Sequence, residues 1–288
     1  MEQIAIIGLG LMGASLGLGL KASGFGGRVV GFARRDETRD FAMAHGMVDL
    51  AVDTPLAAAQ NSDLIVVCVP IVSIEGVIRD MLPGVKPGCL LTDVGSTKAH
   101  LANALTNIVV EHQAFFIGSH PIAGSERQGV EAAVQDLYHL ARVVVTPPSE
   151  DHGQFPVDQL CQFWKGLGAK VIVMTPEQHD LILARTSHLP HMIAATLAST
   201  VGRGSDGKDM ARFCGTGMKD ATRIAEGSPA VWLDILRTNR QNVLSELRAF
   251  HDILEQVINI VSGHEDDAVE SFLKQAQKRR KQLVVSVE

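Results

Sequence analysis

The chain has 288 residues, of which 46% are hydrophobic and 20% charged, and its formal net charge is −6. The acidic balance offers no basic excess for nucleic acid, and no apolar run reaches membrane-spanning length. A first strand that begins by Ile4 leaves no room for a signal peptide. We therefore expect a cytoplasmic protein with reduced thiols, since its four cysteines lack metal-binding spacing: Cys68, Cys89, Cys161 and Cys214.

The chain opens with a buried strand, Ile4–Ile7, and a glycine-rich turn precedes a helical pattern from Met12 to Lys21. In a GxGxxG turn the first glycine permits the bend, the second lets backbone approach a pyrophosphate, and the third lets the helix pack on the strand. The turn therefore predicts a dinucleotide site at the helix N-terminus. Its predicted cofactor-binding residues are Gly8, Leu9, Gly10, Leu11, Met12 and Gly13.

The end of the second strand, Arg28–Phe32, lacks the acid that usually holds the ribose of NAD. Ala33 occupies the expected position, and Arg34 and Arg35 follow it, with Asp36 next. A guanidinium there can pair with a 2′-phosphate, although a solvated basic turn capped by Asp36 explains the residues equally well. We expect the cofactor to be NADP, with NAD as the alternative. Ala33, Arg34 and Arg35 are assigned to cofactor binding.

Apolar strands and helices then alternate as far as Met174. The predicted strands are Leu64–Val69, Cys89–Asp93, Phe115–Ile117, Val143–Thr146 and Lys170–Met174, and the helices are Ile71–Leu82, Lys98–Leu105 and Asp158–Leu167. This alternation predicts one doubly wound, parallel sheet of the Rossmann type over residues 1–174. Val69 and Pro70, at the end of a strand, are also assigned to the cofactor.

From residue 175 the pattern becomes helical. Thr175 and Gln178 form a capping box that starts a largely apolar helix over Glu177–Val201. A second helix is predicted from Ser228 to about Val261 and a third over Glu265–Lys281, before a strand-like tail at Leu283–Val287. We expect residues 175–288 to form an all-α dimerisation and substrate domain, which makes the protein a homodimer.

Three polar clusters interrupt these patterns. In the segment Gly118–Glu126 two glycines bracket a predicted turn, which would hold the His120 imidazole on a stiff loop. His188 and His191 share a helix face beside Pro190, which should kink that helix. An HxxH pair without a third ligand is poor zinc spacing, so no metal is predicted, and two satisfied core histidines remain an alternative.

The third cluster is Gly215–Arg223, where Asp220 and Arg223 are spaced for an ion pair. Together with the glycine turn, Asp93-Val-Gly-Ser-Thr-Lys98, GSHPIAGSE and SHLPH, the sequence Lys-Asp-Ala-Thr-Arg223 resembles the prephenate/arogenate dehydrogenases of tyrosine biosynthesis. The resemblance implies NAD(P)-dependent oxidative decarboxylation of prephenate to 4-hydroxyphenylpyruvate, or of arogenate to tyrosine. It also implies a small-molecule substrate, with no nucleic acid or membrane partner.

By the same resemblance, His120 matches the catalytic histidine and Ser96 the serine that orients the substrate hydroxyl. The matched substrate-binding residues are His188, His191, Arg223, Ser125, Glu126 and Asp220. An imidazole at His191 suits a pyruvyl side chain more than an ammonium, which favours prephenate over arogenate.

Two alternatives stay open. Gly215-x-x-x-Lys219 is similar to the catalytic pattern of 3-hydroxyacid dehydrogenases, although Arg223 stands where that family has asparagine. The chain would otherwise be a nucleotide-sensing protein without turnover, which has no need for His120 and Arg223 to converge on a nicotinamide. Reduction of the cofactor by prephenate distinguishes these possibilities.

Overall fold

The protein was analysed as a computed structural model that describes residues 1–124, 127–148, 155–203 and 210–285. Six parallel strands form the main sheet in the order β3-β2-β1-β4-β5-β6. They are β1 (Gln3–Ile7), β2 (Arg28–Phe32), β3 (Leu50–Val52), β4 (Leu64–Val67), β5 (Leu90–Asp93) and β6 (Phe115–Phe116). The predicted doubly wound α/β fold is confirmed, and β3 is a strand that the sequence patterns missed.

Helices cover both faces of this sheet, because alternate side chains of its strands enter two separate cores. In β1, Ile4 and Ile6 join one core, while Ala5 and Ile7 join the other. The connecting helices are α1 (Leu11–Ala22), α2 (Asp36–Ala44), α3 (Pro55–Ala59), α4 (Ile71–Met81) and α5 (Ala99–Glu111). Such two-sided burial explains why these strands are continuously apolar.

The prediction that the strands at Val143–Thr146 and Lys170–Met174 extend this sheet is wrong. Strands β7 (Gly118–Ile122), β8 (Arg142–Thr146) and β9 (Lys170–Val173) form a second sheet in which β7 and β8 are antiparallel. The predicted turn around His120 is therefore an edge strand. Pro121 is compatible with this because an edge strand leaves one row of backbone groups unpaired. The predicted crossover helix between β8 and β9 is present as α6 (Val157–Gly166).

After β9 the described chain is helical, with more breaks than the sequence predicts. The predicted Glu177–Val201 helix consists of α7 (Pro176–Leu183), a π turn (Ala184–His188) and α8 (Leu189–Val201). The π turn lies just before Pro190, whose missing N–H breaks the regular ladder. The Thr175 capping box is present as predicted.

In the rest of the described chain the α-helices are α9 (Thr216–Thr222), α10 (Pro229–Thr238), α11 (Arg240–Ser262) and α12 (Asp266–Val285). The predicted single helix from Ser228 to Val261 is wrong, because it breaks at Asn239, whose backbone leaves the helical region. The strand-like tail is also wrong as far as Val285, where α12 ends. Met1–Arg240 form one compact unit and Gln241–Glu288 a second, while the predicted domain boundary near residue 174 stays a prediction.

Candidate active site

The glycine turn after β1 has the shape that a pyrophosphate requires. Gly8 has a φ of 107°, and a Cβ there would lie 2.7 Å from the Cys68 carbonyl oxygen. At Gly13 a Cβ would lie 2.0 Å from the Gly8 carbonyl oxygen, so α1 packs directly against the turn. A Cβ on Gly10, the N-cap of α1, would meet no atom within 4 Å. The turn therefore leaves open space at a helix N-terminus, which fits a nicotinamide dinucleotide.

At the end of β2, Ala33 is buried and both Arg34 and Arg35 are exposed. The next acid, Asp36, begins α2 and forms an ion pair with Arg39. The Arg39 guanidinium also donates to the carbonyl oxygens of Ala33, at 2.7 Å, and Arg34, at 3.1 Å. Arg39 thus fixes the turn and engages the Asp36 carboxylate, while Arg34 and Arg35 face solvent.

A chain of buried polar groups leads away from His120. His120 Nδ1 lies 2.8 Å from His179 Nε2, and His179 Nδ1 lies 2.8 Å from Asp180 Oδ1. Both His179 and Asp180 are almost completely buried. Sequence inspection missed these two residues, which lie inside α7. The sequence offers little signal for them, because His179 and Asp180 follow the polar residues Glu177 and Gln178, and only the structure shows that they are buried.

Asp180 connects this chain to the N-terminus of α5. Its Oδ1 accepts from the Lys98 backbone N–H at 2.8 Å, and its Oδ2 from the Ala99 N–H at 3.0 Å. A carboxylate there satisfies amides that have no partner within the helix. Asn239, at the break before α11, donates from Nδ2 to the Asp180 carbonyl oxygen at 2.7 Å and lies 3.3 Å from His188 Nδ1. The helix break therefore places the Asn239 side chain against Asp180 and His188.

The loop that carries Ser96 is tied to the strand that carries His120. Lys98 and Asp93 form a completely buried ion pair, and Lys98 Nζ donates to the Ser119 carbonyl oxygen at 2.9 Å. Asp93 accepts from the Ser119 backbone N–H at 3.3 Å and from the Gly95 N–H at 2.8 Å. Half-buried Ser96 is thereby held on a loop whose two sides bond the residue next to His120.

Burial keeps the histidines of this cluster neutral. It lowers the pKa of His120 well below its ordinary value, and repulsion adds to the effect, from His179 and His188 when they are protonated and from the Lys98 ammonium. Burial also lowers the pKa of His179, although the hydrogen bond to Asp180 opposes the shift. For His188, burial lowers the pKa to about 4. A neutral imidazole at position 120 can accept a proton at neutral pH.

His191 contacts Trp232 on the other side of the π turn. The two rings are stacked with centroids 3.5 Å apart, and His188 meets the same indole edge-on at 6.0 Å. His191 Nδ1 is buried, and no described residue bonds it. Gly227 permits this packing, because a Cβ there would lie 2.6 Å from the Trp232 ring nitrogen. A buried polar atom without a hydrogen-bond partner among the described residues is a candidate contact for a ligand.

Two family models cover this chain almost continuously. The nucleotide-binding domain of prephenate dehydrogenase matches residues 16–173, and its dimerization domain matches residues 175–275. The chain belongs to the prephenate dehydrogenase family. Prephenate dehydrogenase of Lactococcus lactis is 31% identical over 99% of this chain and 78% of the relative.

Solved structures agree with this family. Prephenate dehydrogenase of A. aeolicus, in complex with hydroxyphenyl propionate and NAD+, has a TM-score of 0.89 at 28% identity over 98% of each chain. Synechocystis arogenate dehydrogenase has a TM-score of 0.85 at 29% identity, over 97% of this chain and 99% of that one. The protein is thus an NAD(P)-dependent dehydrogenase of the type that oxidatively decarboxylates prephenate or arogenate in tyrosine biosynthesis.

The other residues assigned by resemblance are placed less tightly. Asp220 and Arg223 are exposed near the end of α9, and no ion pair joins them in the part of the chain that the structure describes. Ser125 and Glu126 lie outside the described residues. Among described side chains no group of three could hold a metal ion, and no described helix is both long and apolar enough to span a membrane.

Proposed function

We propose that the protein converts prephenate to 4-hydroxyphenylpyruvate with His120 as the general base. The observation that carries this proposal is a neutral imidazole on an edge strand, held by a hydrogen bond to the buried His179 and beside the loop of Ser96. A positioned base typically contributes roughly 10²–10⁴-fold to a rate. Ser96 orients the substrate hydroxyl toward this base.

The reaction needs one proton acceptor and one hydride acceptor. His120 Nε2 takes the proton of the ring hydroxyl while hydride leaves the same carbon. A nicotinamide cofactor held at the glycine turn between Gly8 and Gly13 would supply the hydride acceptor. The bond from the ring to its carboxylate then breaks, carbon dioxide leaves, and the bonding electrons make the ring aromatic. His120 returns its proton to the phenolate oxygen, so the protein ends in its starting state.

Substrate binding is proposed for the residues matched by the family motifs. Arg223 grips a substrate carboxylate, since a guanidinium can donate two parallel hydrogen bonds to it. The pocket also uses His188, His191, Ser125, Glu126 and Asp220. Exposure of Arg223 in the isolated chain is compatible with a site that closes around its substrate, and the proposal for this residue rests on the motif.

His191 bears on the choice between prephenate and arogenate. Burial lowers its pKa, and a hydrogen bond with the Ile224 backbone opposes this shift. Because Nδ1 has no partner among the described residues, the bond to Ile224 falls on Nε2 and leaves a lone pair on Nδ1. Such a lone pair accepts from an ammonium group. This makes arogenate the second candidate, beside the prephenate that the sequence favours.

Cofactor binding is proposed at the glycine turn and the ends of β2 and β4. The residues are Gly8, Leu9, Gly10, Leu11, Met12, Gly13, Ala33, Arg34, Arg35, Val69 and Pro70. We propose NADP as the preferred form, because Asp36 pairs with Arg39 and two guanidiniums remain exposed. We also propose a cytoplasmic homodimer, which the match to a dimerization domain supports.

Initial rates with prephenate and arogenate, each with NAD and NADP, test this function directly. We expect reduced nicotinamide and carbon dioxide in equal amounts, with the higher kcat/KM for prephenate and NADP. Reduction of the cofactor by a 3-hydroxyacid, but not by prephenate or arogenate, would favour a 3-hydroxyacid dehydrogenase. Tight cofactor binding without turnover of any of these substrates would favour a sensor.

A further inference from the structure

The buried groups behind His120 point to a function for two residues that no motif identified. We propose that His179 and Asp180 are positioning residues that hold His120 in the tautomer with a proton on Nδ1 and a lone pair on Nε2. The proposal rests on the function proposed for His120, because only a base needs that lone pair. It follows from the hydrogen-bonding capacity of each group in turn.

The sequence of donors starts at Asp180, which can only accept. Both of its oxygens receive backbone N–H groups from Lys98 and Ala99, and backbone amides have no alternative to donating. A third contact, at 2.8 Å, comes from His179 Nδ1. Since the acid is an acceptor throughout, Nδ1 of His179 must carry a proton.

His179 transmits this constraint across its ring. Burial lowers its pKa, so the ring is neutral and carries one proton. With that proton on Nδ1, the lone pair lies on Nε2. His179 Nε2 can therefore only accept from His120 Nδ1, 2.8 Å away. The ring planes meet at 71°, with the edge of one histidine toward the other.

His120 consequently has no choice of tautomer. Its Nδ1 proton is held by His179, and its Nε2 presents a lone pair that no described residue bonds. When Nε2 accepts the hydroxyl proton, the imidazolium keeps the same hydrogen bond, with the Asp180 carboxylate one ring further away. The positive charge of Lys98 disfavours the His120 imidazolium, but the ion pair with Asp93 offsets the charge of Lys98. The proton enters and leaves through Nε2, so no other transfer is required.

The two residues differ in what else they do. Asp180 also caps α5, so its replacement would alter the fold as well as the tautomer. Among the residues that the structure describes, the ring of His179 forms hydrogen bonds only with His120 and Asp180. His179 is therefore the position at which positioning can be separated from folding.

The matched variants are His179→Leu, which removes the acceptor, and His179→Gln, whose amide oxygen can replace Nε2. We expect the leucine variant to lower kcat on the order of 10²-fold, with substrate KM within about threefold, because a wrong tautomer blocks the base without altering binding. The glutamine variant should recover at least about tenfold of that loss. A leucine variant with wild-type kcat, or no difference between the two variants, would overturn the proposal.

A spectroscopic measurement decides the matter without turnover. In ¹⁵N-histidine-labelled wild type, the His120 signals, assigned by their loss in His120→Asn, should show a protonated Nδ1 and an unprotonated Nε2. The leucine variant should populate the opposite tautomer. A protonated Nε2 in neutral wild-type His120 would refute the positioning role. Failure of the wild type to oxidise prephenate or arogenate would instead refute the proposed function, and the tautomer would still be measured.

Discussion

The cofactor end and the catalytic end of the first compact unit are built in different ways. At the cofactor end, the six residues from Gly8 to Gly13 and the turn from Ala33 to Asp36 are each contiguous in sequence. At the catalytic end, hydrogen bonds join His120 to His179 across 59 positions, and Lys98 to Asp180 across 82. One site is a property of local backbone, and the other exists only after β7, α5 and α7 have packed.

This difference explains which functions a short motif can carry. A pyrophosphate is bound by backbone amides, so the requirement at the glycine turn is space rather than side chains. A general base requires a defined proton on a defined nitrogen, and its neighbours supply that. The cofactor end should therefore tolerate changes at the catalytic end, whereas the catalytic histidine should depend on residues far from it in sequence.

The largest expected effect separates the two ends directly. His120→Asn keeps a hydrogen-bonding side chain but removes the base, so kcat should fall roughly 10²–10⁴-fold. The dissociation constant for the cofactor should not change, since the glycine turn is intact. Stopped-flow rates and cofactor titration measure the two quantities. His112→Asn, at the exposed end of α5, is the matched control and should behave as wild type. A variant at position 120 within a few-fold of wild-type kcat would remove the base from this strand.

The sequence predicted the fold wherever neighbours along the chain determine it. The alternation of apolar strands and helices predicts the main sheet, and the Thr175 capping box predicts the start of α7. The second sheet was not predicted, because β8 and β9 have the same apolar pattern as the strands of the main sheet. What distinguishes β8 and β9 from the strands of the main sheet is that β8 pairs with β7. The sequence of β7 was interpreted as a turn, so this pairing was not predicted.

The site shows the same limit. His120 stands out because glycines and a proline surround it, and the motif assigns it a role. His179 and Asp180 look like ordinary helix residues, since a sequence does not show that one carboxylate will meet the amides of α5. The break at Asn239 was missed for a related reason: its amide bonds the Asp180 carbonyl, which is a tertiary contact.

A second prediction concerns the dependence of stability on pH at the catalytic end. The pKa of His188 falls from its ordinary 6.5 to about 4 in the folded protein because the ring is buried. Below about pH 6.5 the unfolded chain binds a proton that the folded protein does not, so stability falls as the pH falls. The loss should approach about 3 kcal/mol near pH 4, where the folded state also protonates.

Denaturant unfolding of wild type and His188→Gln between pH 7 and pH 4 measures this contribution. The glutamine oxygen can still accept from Asn239, whereas its side chain does not titrate. The variant should therefore lose less stability on acidification, and His120 and His179 should account for part of the slope that remains. Identical pH profiles for the two proteins would mean that folding does not lower the pKa of His188. The cofactor turn contains no histidine, so its affinity should not share this dependence.

The smallest expected effect tests whether the cofactor end is as local as it looks. The chain lacks a carboxylate at position 33 that would repel a 2′-phosphate, and it has guanidiniums at the next two positions. This difference should favour binding of NADP over NAD by roughly 1–3 kcal/mol. The double variant Arg34→Ala, Arg35→Ala should lose NADP activity and keep most NAD activity. Arg28→Ala, at the other end of β2, is the matched control and should leave the ratio unchanged. Ratios of kcat/KM for the two cofactors measure the preference.

The outcome depends on the conformation of one turn. Arg39 bonds the carbonyl oxygens of Ala33 and Arg34 and pairs with Asp36, so the acid is engaged at the start of α2. If that pairing holds when cofactor binds, Asp36 cannot accept the ribose hydroxyls, and the exposed guanidiniums determine the preference. Wild-type enzyme that prefers NAD tenfold would show that Asp36 leaves Arg39 for the ribose. Selectivity at this end would then also depend on a side-chain partner, as activity does at the other.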